Sequence, residues 1–230
     1  AREARLILRW ASGLEAAALS ARLEAVPGAP EAARFAAAVA ARATRRPLSQ
    51  VLGERAFWGR GFRVTEAVLD PRPETETVIA AALAGPAPRR ILDLGLGTGC
   101  LLLTLLAELP EATGVGVERS EAALAVAREN AARLGVAGRA ELLPGDWWGP
   151  VRGRFDLVVA NPPYVTEADY ADLAPEVRRW EPVSALIPDG DAGDGLAAYR
   201  AIAAGLARAL APGGRALLEV GPGQAGPVTG

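Results

Sequence analysis

The chain contains no lysine, no histidine and no methionine, and it has one cysteine. Without histidine there is no imidazole base and none of the usual histidine-containing zinc sites, so no metal site is expected. Without lysine there is neither a Schiff-base nucleophile nor the cation of a phosphate-binding loop. A lone Cys100 excludes an internal disulfide and fits a reducing compartment; its plain reading is a small buried hydrophobe. No run of eighteen apolar residues occurs, so no spanning helix and no membrane role are expected. Residues 1–10 carry three arginines but lack the long apolar stretch of a secretion signal, and read as a helix. Since methionine is absent even from position 1, the sequence reads as the interior of a longer product or as a trimmed one.

Half of the 230 residues are apolar and 23% are charged, as in a folded protein. The formal net charge of -2 gives no chain-wide basic field, so stable nucleic-acid binding is not expected. Residues 1–46 are rich in Ala, Leu and Arg and break at Gly13 and at Pro27-Gly28-Ala29-Pro30, which predicts about three short helices. Such helices are marginal alone and must pack on one another or on a partner surface. The stretch Phe57-Trp58-Gly59-Arg60-Gly61-Phe62-Arg63-Val64 predicts a hairpin or extended connector. Pro71 and Pro73 then stiffen the chain before a helix resumes. From residue 90 onward strands are expected at 90–94, 113–117, 140–142, 155–159 and 215–220, with helices over 100–109, 121–134 and 196–210. That alternation signals a mostly parallel α/β sheet, whose ligands bind beyond the carboxyl ends of the strands. The division expected is a helical unit at 1–48, a linker at 49–73 and an α/β unit at 74–230.

Three strand ends then suggest a ligand. Asp93-Leu94-Gly95-Leu96-Gly97-Thr98-Gly99 joins the first strand to its helix with glycines that permit a tight turn and close backbone approach. It does not complete the G-x-G-x-x-G spacing of dinucleotide enzymes, because Cys100 and Leu102 stand where the last glycine would fall. The second strand ends in Glu118, whose carboxylate can accept from both hydroxyls of a ribose. After the next strand, Asp146 can accept from an adenine amino group, with Trp147 or Trp148 as an apolar wall; the alternative for this pair is a core role. Together these features favour adenosine without pyrophosphate, as in S-adenosylmethionine (SAM), whose demethylated product is S-adenosylhomocysteine.

The strand at 155–159 runs into Asn161-Pro162-Pro163-Tyr164. Two prolines cannot continue a central ladder, so the chain must leave the sheet there. Their fixed φ points the Pro162 carbonyl in a set direction beside the Asn161 side-chain oxygen. Two adjacent acceptors suit an NH2 group whose lone pair is delocalised, orienting its nitrogen toward a sulfonium methyl and favouring the less planar transition state. Tyr164 can stack on the flat group and exclude water. Alignment in a dry site does the work and no strong base is required.

These residues leave a glutamine amide and an adenine amine equally open. The segments Pro47 to Gly53, Phe57-Trp58-Gly59, Pro71-Arg72-Pro73-Glu74-Thr75-Glu76, Asp93 to Gly99, Asn161 to Tyr164, Glu181-Pro182, Gly193 to Leu196 and Leu218 to Gly221 with Gln224 resemble the N5-glutamine methyltransferases of peptide-chain release factors. That resemblance implies a class I SAM-dependent methyltransferase fold, Rossmann-like, with a small N-terminal helical domain that binds the substrate. It implies as partner a class 1 release factor, methylated on the glutamine of Gly-Gly-Gln, and hence a cytoplasmic enzyme. It places Asp93, Gly95, Gly97, Thr98, Gly99, Glu118, Asp146, Trp147 and Asn161 at the cofactor. It places Arg72, Pro73, Glu74, Thr75 and the Asn161-Pro162-Pro163-Tyr164 motif at the acceptor glutamine, with Asn161, Pro162 and Tyr164 catalytic. For Arg72 a salt-bridged linker residue is an equal alternative. Two positions depart from the family: Glu118 replaces a common Asp, and Asp70 stands where an apolar residue is common. The family would also add a helix and a strand pair after Gly230, so those C-terminal strands are expected to be missing from this sequence.

Two other classes compete. An adenine-N6 methyltransferase acting on DNA or RNA would want a basic surface beyond the doublets Arg45-Arg46, Arg89-Arg90 and Arg178-Arg179. A non-catalytic SAM-fold scaffold would have no need of the glycine loop or Asn161.

Overall fold

A computed structural model describes residues 2–22 and 26–229. The first helices are α1 (Arg2–Ser12), α2 (Ala16–Ala21), α3 (Ala29–Ala43) and α4 (Leu48–Leu52). In α1 a narrow apolar face buries Ile7 and Ala11, and α3 buries Ala38. So little buried area leaves polar contacts to fix the pair. Arg34 donates through Nε (2.8 Å) and Nη2 (2.5 Å) to the Ala11 carbonyl, closing the end of α1 where carbonyls lack partners. Arg42 meets Glu3 at 3.0 Å. Helix α4 is not among the elements expected from sequence, because Pro47 and Gly53 leave it only five residues. It buries Ser49 and Gln50 against the rest of the molecule.

The hairpin of β1 (Glu54–Phe57) and β2 (Arg60–Arg63) is antiparallel, with Phe57 opposite Arg60. Its turn residues Trp58 and Gly59 have φ of 48° and 71°, the left-handed pair that suits a two-residue hairpin. Phe57 and Phe62 meet edge to face at 5.9 Å. Trp58 donates from its backbone to Glu76 (2.7 Å) and from Nε1 to Glu108 (3.1 Å), holding the turn against α5 (Glu76–Ala84) and α6 (Cys100–Glu108).

The remaining strands are β3 (Arg90–Leu94), β4 (Thr113–Glu118), β5 (Ala140–Pro144), β6 (Phe155–Ala160) and β7 (Leu210–Leu218), in the order β5-β4-β3-β6-β7. All neighbours are parallel, as the strand and helix alternation predicts. Side chains alternate between two cores, as the period of two requires. Ile91, Leu157 and Val159 face α5, α6 and the hairpin, whereas Leu92, Leu94, Val158 and Ala160 face Trp148 and Ile202. Leucine-rich α6 is apolar all round because it is enclosed all round. Helix α7 (Glu121–Arg133) starts at Ser120, whose hydroxyl accepts from Ala123 N at 3.2 Å. Helix α10 (Ala197–Ala209) covers the opposite face.

Strand β7 begins earlier than expected: Leu210 pairs with Phe155, and the ladder resumes at Arg215 opposite Leu157 after an irregularity. Between β6 and α10 lie α8 (Glu167–Tyr170) and α9 (Pro175–Trp180), and α11 (Ala225–Thr229) follows β7. These short helices lack the periodicity that would have announced them. Helix α9 is tied to the segment after α3: Gln50 Nε2 donates to the Trp180 carbonyl at 2.8 Å, and Arg45 meets Glu176 at 3.1 Å. No described helix is long and apolar enough to cross a membrane.

Candidate functional site

Strand order reverses direction between β3 and β6, so the turns leaving these two strands diverge and open a crevice at their carboxyl ends. A cavity of about 340 Å³ lies there, large enough for a small ligand.

The turn after β3 carries Gly95, Gly97 and Gly99 with φ of 78°, 54° and 79°, backbone that L side chains rarely adopt. A side chain at Gly99 would also strike Leu103 at 2.6 Å. Backbone N–H groups of Gly95 and Leu96 both donate to the Val117 carbonyl at 3.0 Å, folding the loop back on β4. Glu118, half-buried at the end of β4, ties this loop to the start of α7: Oε2 accepts from Gly97 N at 2.8 Å and Oε1 from Ser120 N at 2.9 Å. Each carboxylate oxygen keeps a further lone pair for a ligand hydroxyl.

Asp93 is 1% exposed. Its Oδ2 accepts from Leu102 N at 3.2 Å, while Oδ1 has no partner. Burial, helped by the charge of Glu118, pushes its carboxyl up to about 8. The site therefore holds a buried acceptor that a cationic ligand group would satisfy. Thr98 is also buried on the cavity wall, its hydroxyl 3.3 Å from Cys100 N.

Beyond β5, Trp147 takes φ of 43° and lines the cavity beside exposed Asp146. The two adjacent tryptophans part here. Trp148 is 9% exposed, donates from Nε1 to the Ala201 carbonyl (2.9 Å) and packs on Gly205, so it belongs to the core. Arg119 and Asp189 form an ion pair and both line the cavity, linking the turn after β4 to the segment before α10.

On the acceptor side, Asn161 and Pro163 line the cavity, and Pro162 is buried and outside its lining. Asn161 Nδ2 donates to Thr75 Oγ1 at 3.1 Å. Thr75 is 1% exposed, whereas Pro73 and Glu74 face solvent. Arg72 lines the cavity with Thr75 and is also salt-bridged, its Nη2 2.8 and 2.7 Å from the two oxygens of buried Glu181. Tyr164 is half-buried, and its carbonyl accepts from Gln224 Nε2 at 3.2 Å. A side chain at Gly195 would meet that carbonyl at 2.3 Å, which is why the chain passes there as glycine.

Three residues of this region carry no role in the sequence reading. Asn130 is fully buried: its Nδ2 donates to Thr98 O (2.9 Å) and Arg63 O (3.2 Å), and its Oδ1 accepts from Arg63 N (2.7 Å). Gln224 holds Tyr164 and Gly221. Glu219 follows β7 and lies among Thr75, Asn161 and Tyr164, with Oε2 unpartnered and its carboxyl raised by burial. The signal for Glu219 was present: Leu218-Glu219 repeats the apolar strand end and carboxylate of Val117-Glu118.

A family model described as "PrmC N-terminal domain" matches residues 1–53, and one described as "Methyltransferase small domain" matches residues 74–178. The chain is 56% identical over its whole length to a "Release factor glutamine methyltransferase" of Cereibacter sphaeroides, covering 81% of that protein. It is 46% identical to a protein of the same name from Rhodospirillum rubrum, again over its whole length and covering 70% of the relative. Among solved structures, a SAM-dependent methyltransferase from Thiobacillus denitrificans in complex with S-adenosyl-L-homocysteine has 28% identity and a TM-score of 0.41, covering 64% of this chain and 48% of that one.

Proposed function

Because the chain belongs to the release factor glutamine methyltransferase family, we propose that its crevice brings SAM to the side-chain amide of a glutamine, the one in the Gly-Gly-Gln tripeptide of a class 1 release factor. The observation that carries the residue assignment is the convergence of Asp93, Glu118 and Asn161, from three strand ends, on one cavity.

The residues present fit the cofactor. Glu118 offers two oxygens to a ribose, Trp147 a flat wall and Asp146 an acceptor to an adenine. The unpartnered Oδ1 of Asp93 meets the need of an amino-acid ammonium. Gly95, Gly97, Thr98 and Gly99 let backbone approach closely. SAM when bound supplies an electrophilic methyl on its sulfonium.

Asn161 presents Oδ1, and Pro162 its carbonyl, to the two N–H bonds of the glutamine amide. Thr75 holds Nδ2, which leaves Oδ1 for the cleft. Accepting both N–H bonds fixes the amide plane so that the nitrogen lone pair, which stands perpendicular to it, faces the methyl, and favours the less planar nitrogen of the transition state. The Tyr164 ring and Pro163 exclude water from the flat group. Once methylated the nitrogen is acidic, and its proton passes to solvent water after the transfer. Pro71, Arg72 and Thr75 on one side and Pro182, Ser184 and Ala185 on the other line the cavity, and the glutamine enters between them.

In this reading residues 1–48 are the helical unit that binds the substrate, 49–73 the linker and 74–230 the transferase. The enzyme works in the cytoplasm on a protein substrate and makes no stable complex with nucleic acid. Labelled methyl from SAM should appear on purified release factor, and neither on its Gln-to-Ala tripeptide variant nor on DNA. Label on DNA alone would reject the glutamine assignment. Asn161→Ala should lower kcat about a hundredfold with SAM affinity little changed, since its bonds go to the acceptor.

A further inference from the structure

Glu219 stands beside the end of β6 that carries Asn161, and it has no part in holding the cofactor or the glutamine. Its backbone N–H donates to the Ala160 carbonyl at 3.0 Å, which sets it next to the residue that precedes Asn161. Tyr199 braces it from α10, donating through its hydroxyl to the Glu219 carbonyl at 2.9 Å. The carboxylate is mostly enclosed, and its Oε2 has no hydrogen-bond partner.

The donors nearby are arranged in sequence. Thr75 Oγ1 already accepts from Asn161 Nδ2, so its single hydroxyl proton is free to go elsewhere. Both the Thr75 hydroxyl and the Asn161 side chain favour the charged form of Glu219, as donors aimed at a carboxylate do. The Asn161 amide has two N–H bonds and one oxygen. One N–H is held by Thr75 Oγ1, and the buried, unpartnered Oε2 of Glu219 is the acceptor on offer to the other, which leaves the oxygen for the crevice. A flipped amide would set N–H against the N–H bonds of the acceptor glutamine.

We infer that Glu219 is a positioning residue whose carboxylate, directly and through the Thr75 hydroxyl, locks the Asn161 amide with Oδ1 toward the acceptor nitrogen. This rests on the glutamine-amide reading of the site. An ionised Glu219 offers both oxygens to these donors, whereas protonation turns one of them into a competing O–H donor. Of the groups around it, Arg72 favours that charge and Glu74 opposes it, while Tyr164, Tyr199 and the Cys100 thiol all feel it. Burial outweighs these and raises the carboxyl above the ordinary glutamate range.

The test uses the whole chain, saturating SAM and a class 1 release factor carrying Gly-Gly-Gln. Glu219→Gln places an NH2 among donors, and should lower kcat about a hundredfold while the Kd of SAM by calorimetry stays within about twofold. Wild-type kcat should fall on the acid side at a pH above the ordinary carboxylate range, and that limb should vanish in Glu219→Gln. Glu219→Asp should recover part of the rate. Thr75→Val, which keeps the shape and removes the hydroxyl, should reproduce the kcat loss; where Glu219→Gln does not fold, Glu219→Asp decides the matter, an acid limb at a shifted pH supporting the inference and one at the wild-type pH overturning it. Wild-type turnover in Thr75→Val and Glu219→Gln, or an acid limb that survives in Glu219→Gln, overturns the inference and leaves the glutamine reading standing. A wild-type chain that transfers nothing to the release factor removes that reading, and this inference with it.

Discussion

The side-chain amide of Asn130 donates to the carbonyl of Thr98 at 2.9 Å, joining helix α7 to the glycine loop. The same side chain exchanges two hydrogen bonds with the backbone of Arg63 in the hairpin. One buried amide thus sets the distance between the glycine loop and the connector that leads to the N-terminal helices. Asn130→Ala would leave three backbone groups without partners, at roughly 1 kcal/mol or more each, so unfolding free energy should fall by about 3 kcal/mol. SAM affinity should drop with it, because the loop loses its support. Urea unfolding with unchanged stability would contradict this account.

Asp93 makes stability depend on pH with a defined sign. Its folded value is raised, from an ordinary 3.8 to about 8, so the native state holds a proton that the unfolded chain has already released. Its contribution is complete below about pH 4 and is lost as pH rises toward about 8, with no further change above. Asp93→Asn should flatten that part of the stability profile. Binding of SAM near pH 7 should expel the proton, since an ammonium beside Oδ1 favours the carboxylate. Calorimetry in two buffers of different ionisation heat would detect the release, and identical heats in both would refute it.

Glu118 is bonded to Gly97 N and Ser120 N before any ligand arrives. Glu118→Ala should weaken SAM binding by about 2 kcal/mol, or roughly thirtyfold, while kcat at saturating SAM falls far less. Unchanged SAM binding would remove the ribose assignment.

Arg72 pairs with a Glu181 side chain that is 2% exposed. Arg72→Met strands that carboxylate, and should cost about 3 kcal/mol. The double change Arg72→Met with Glu181→Leu should recover most of this loss in chemical denaturation. If stability returns and activity does not, Arg72 also contacts substrate; full recovery of both would confine it to the salt bridge.

The parallel sheet and its turns were legible because buried strands such as 155–160 are apolar runs and turns such as 95–99 need glycine. Position on the strand ends then placed Asp93, Glu118 and Asn161 together without any contact information. Helices α4, α8 and α9 were not legible, being too short to carry a period and stabilised by tertiary bonds such as Gln50 to Trp180. Asn130 was hidden for the same reason: nothing local distinguishes an asparagine that faces solvent from one that joins three segments. Composition and spacing did not separate the two adjacent tryptophans, and only the family resemblance singled out Trp147; in the structure Trp147 has a positive φ and lines the cavity while Trp148 enters the core.

Reversal of strand order between β3 and β6 also divides the labour of the chain. Everything assigned to holding the cofactor, except Asn161 itself, arrives on β3, β4 and β5, whereas Asn161, Tyr164 and Glu219 arrive on β6 and β7. Within the sheet the two halves meet where β3 pairs with β6, and the Arg119–Asp189 pair and the Trp148 bond to α10 tie them outside it, so what is methylated can be altered with those ties kept. Exchange of the segments after β6 is accordingly the economical route to new acceptors on this scaffold, with Glu118 and the glycine loop left as they are.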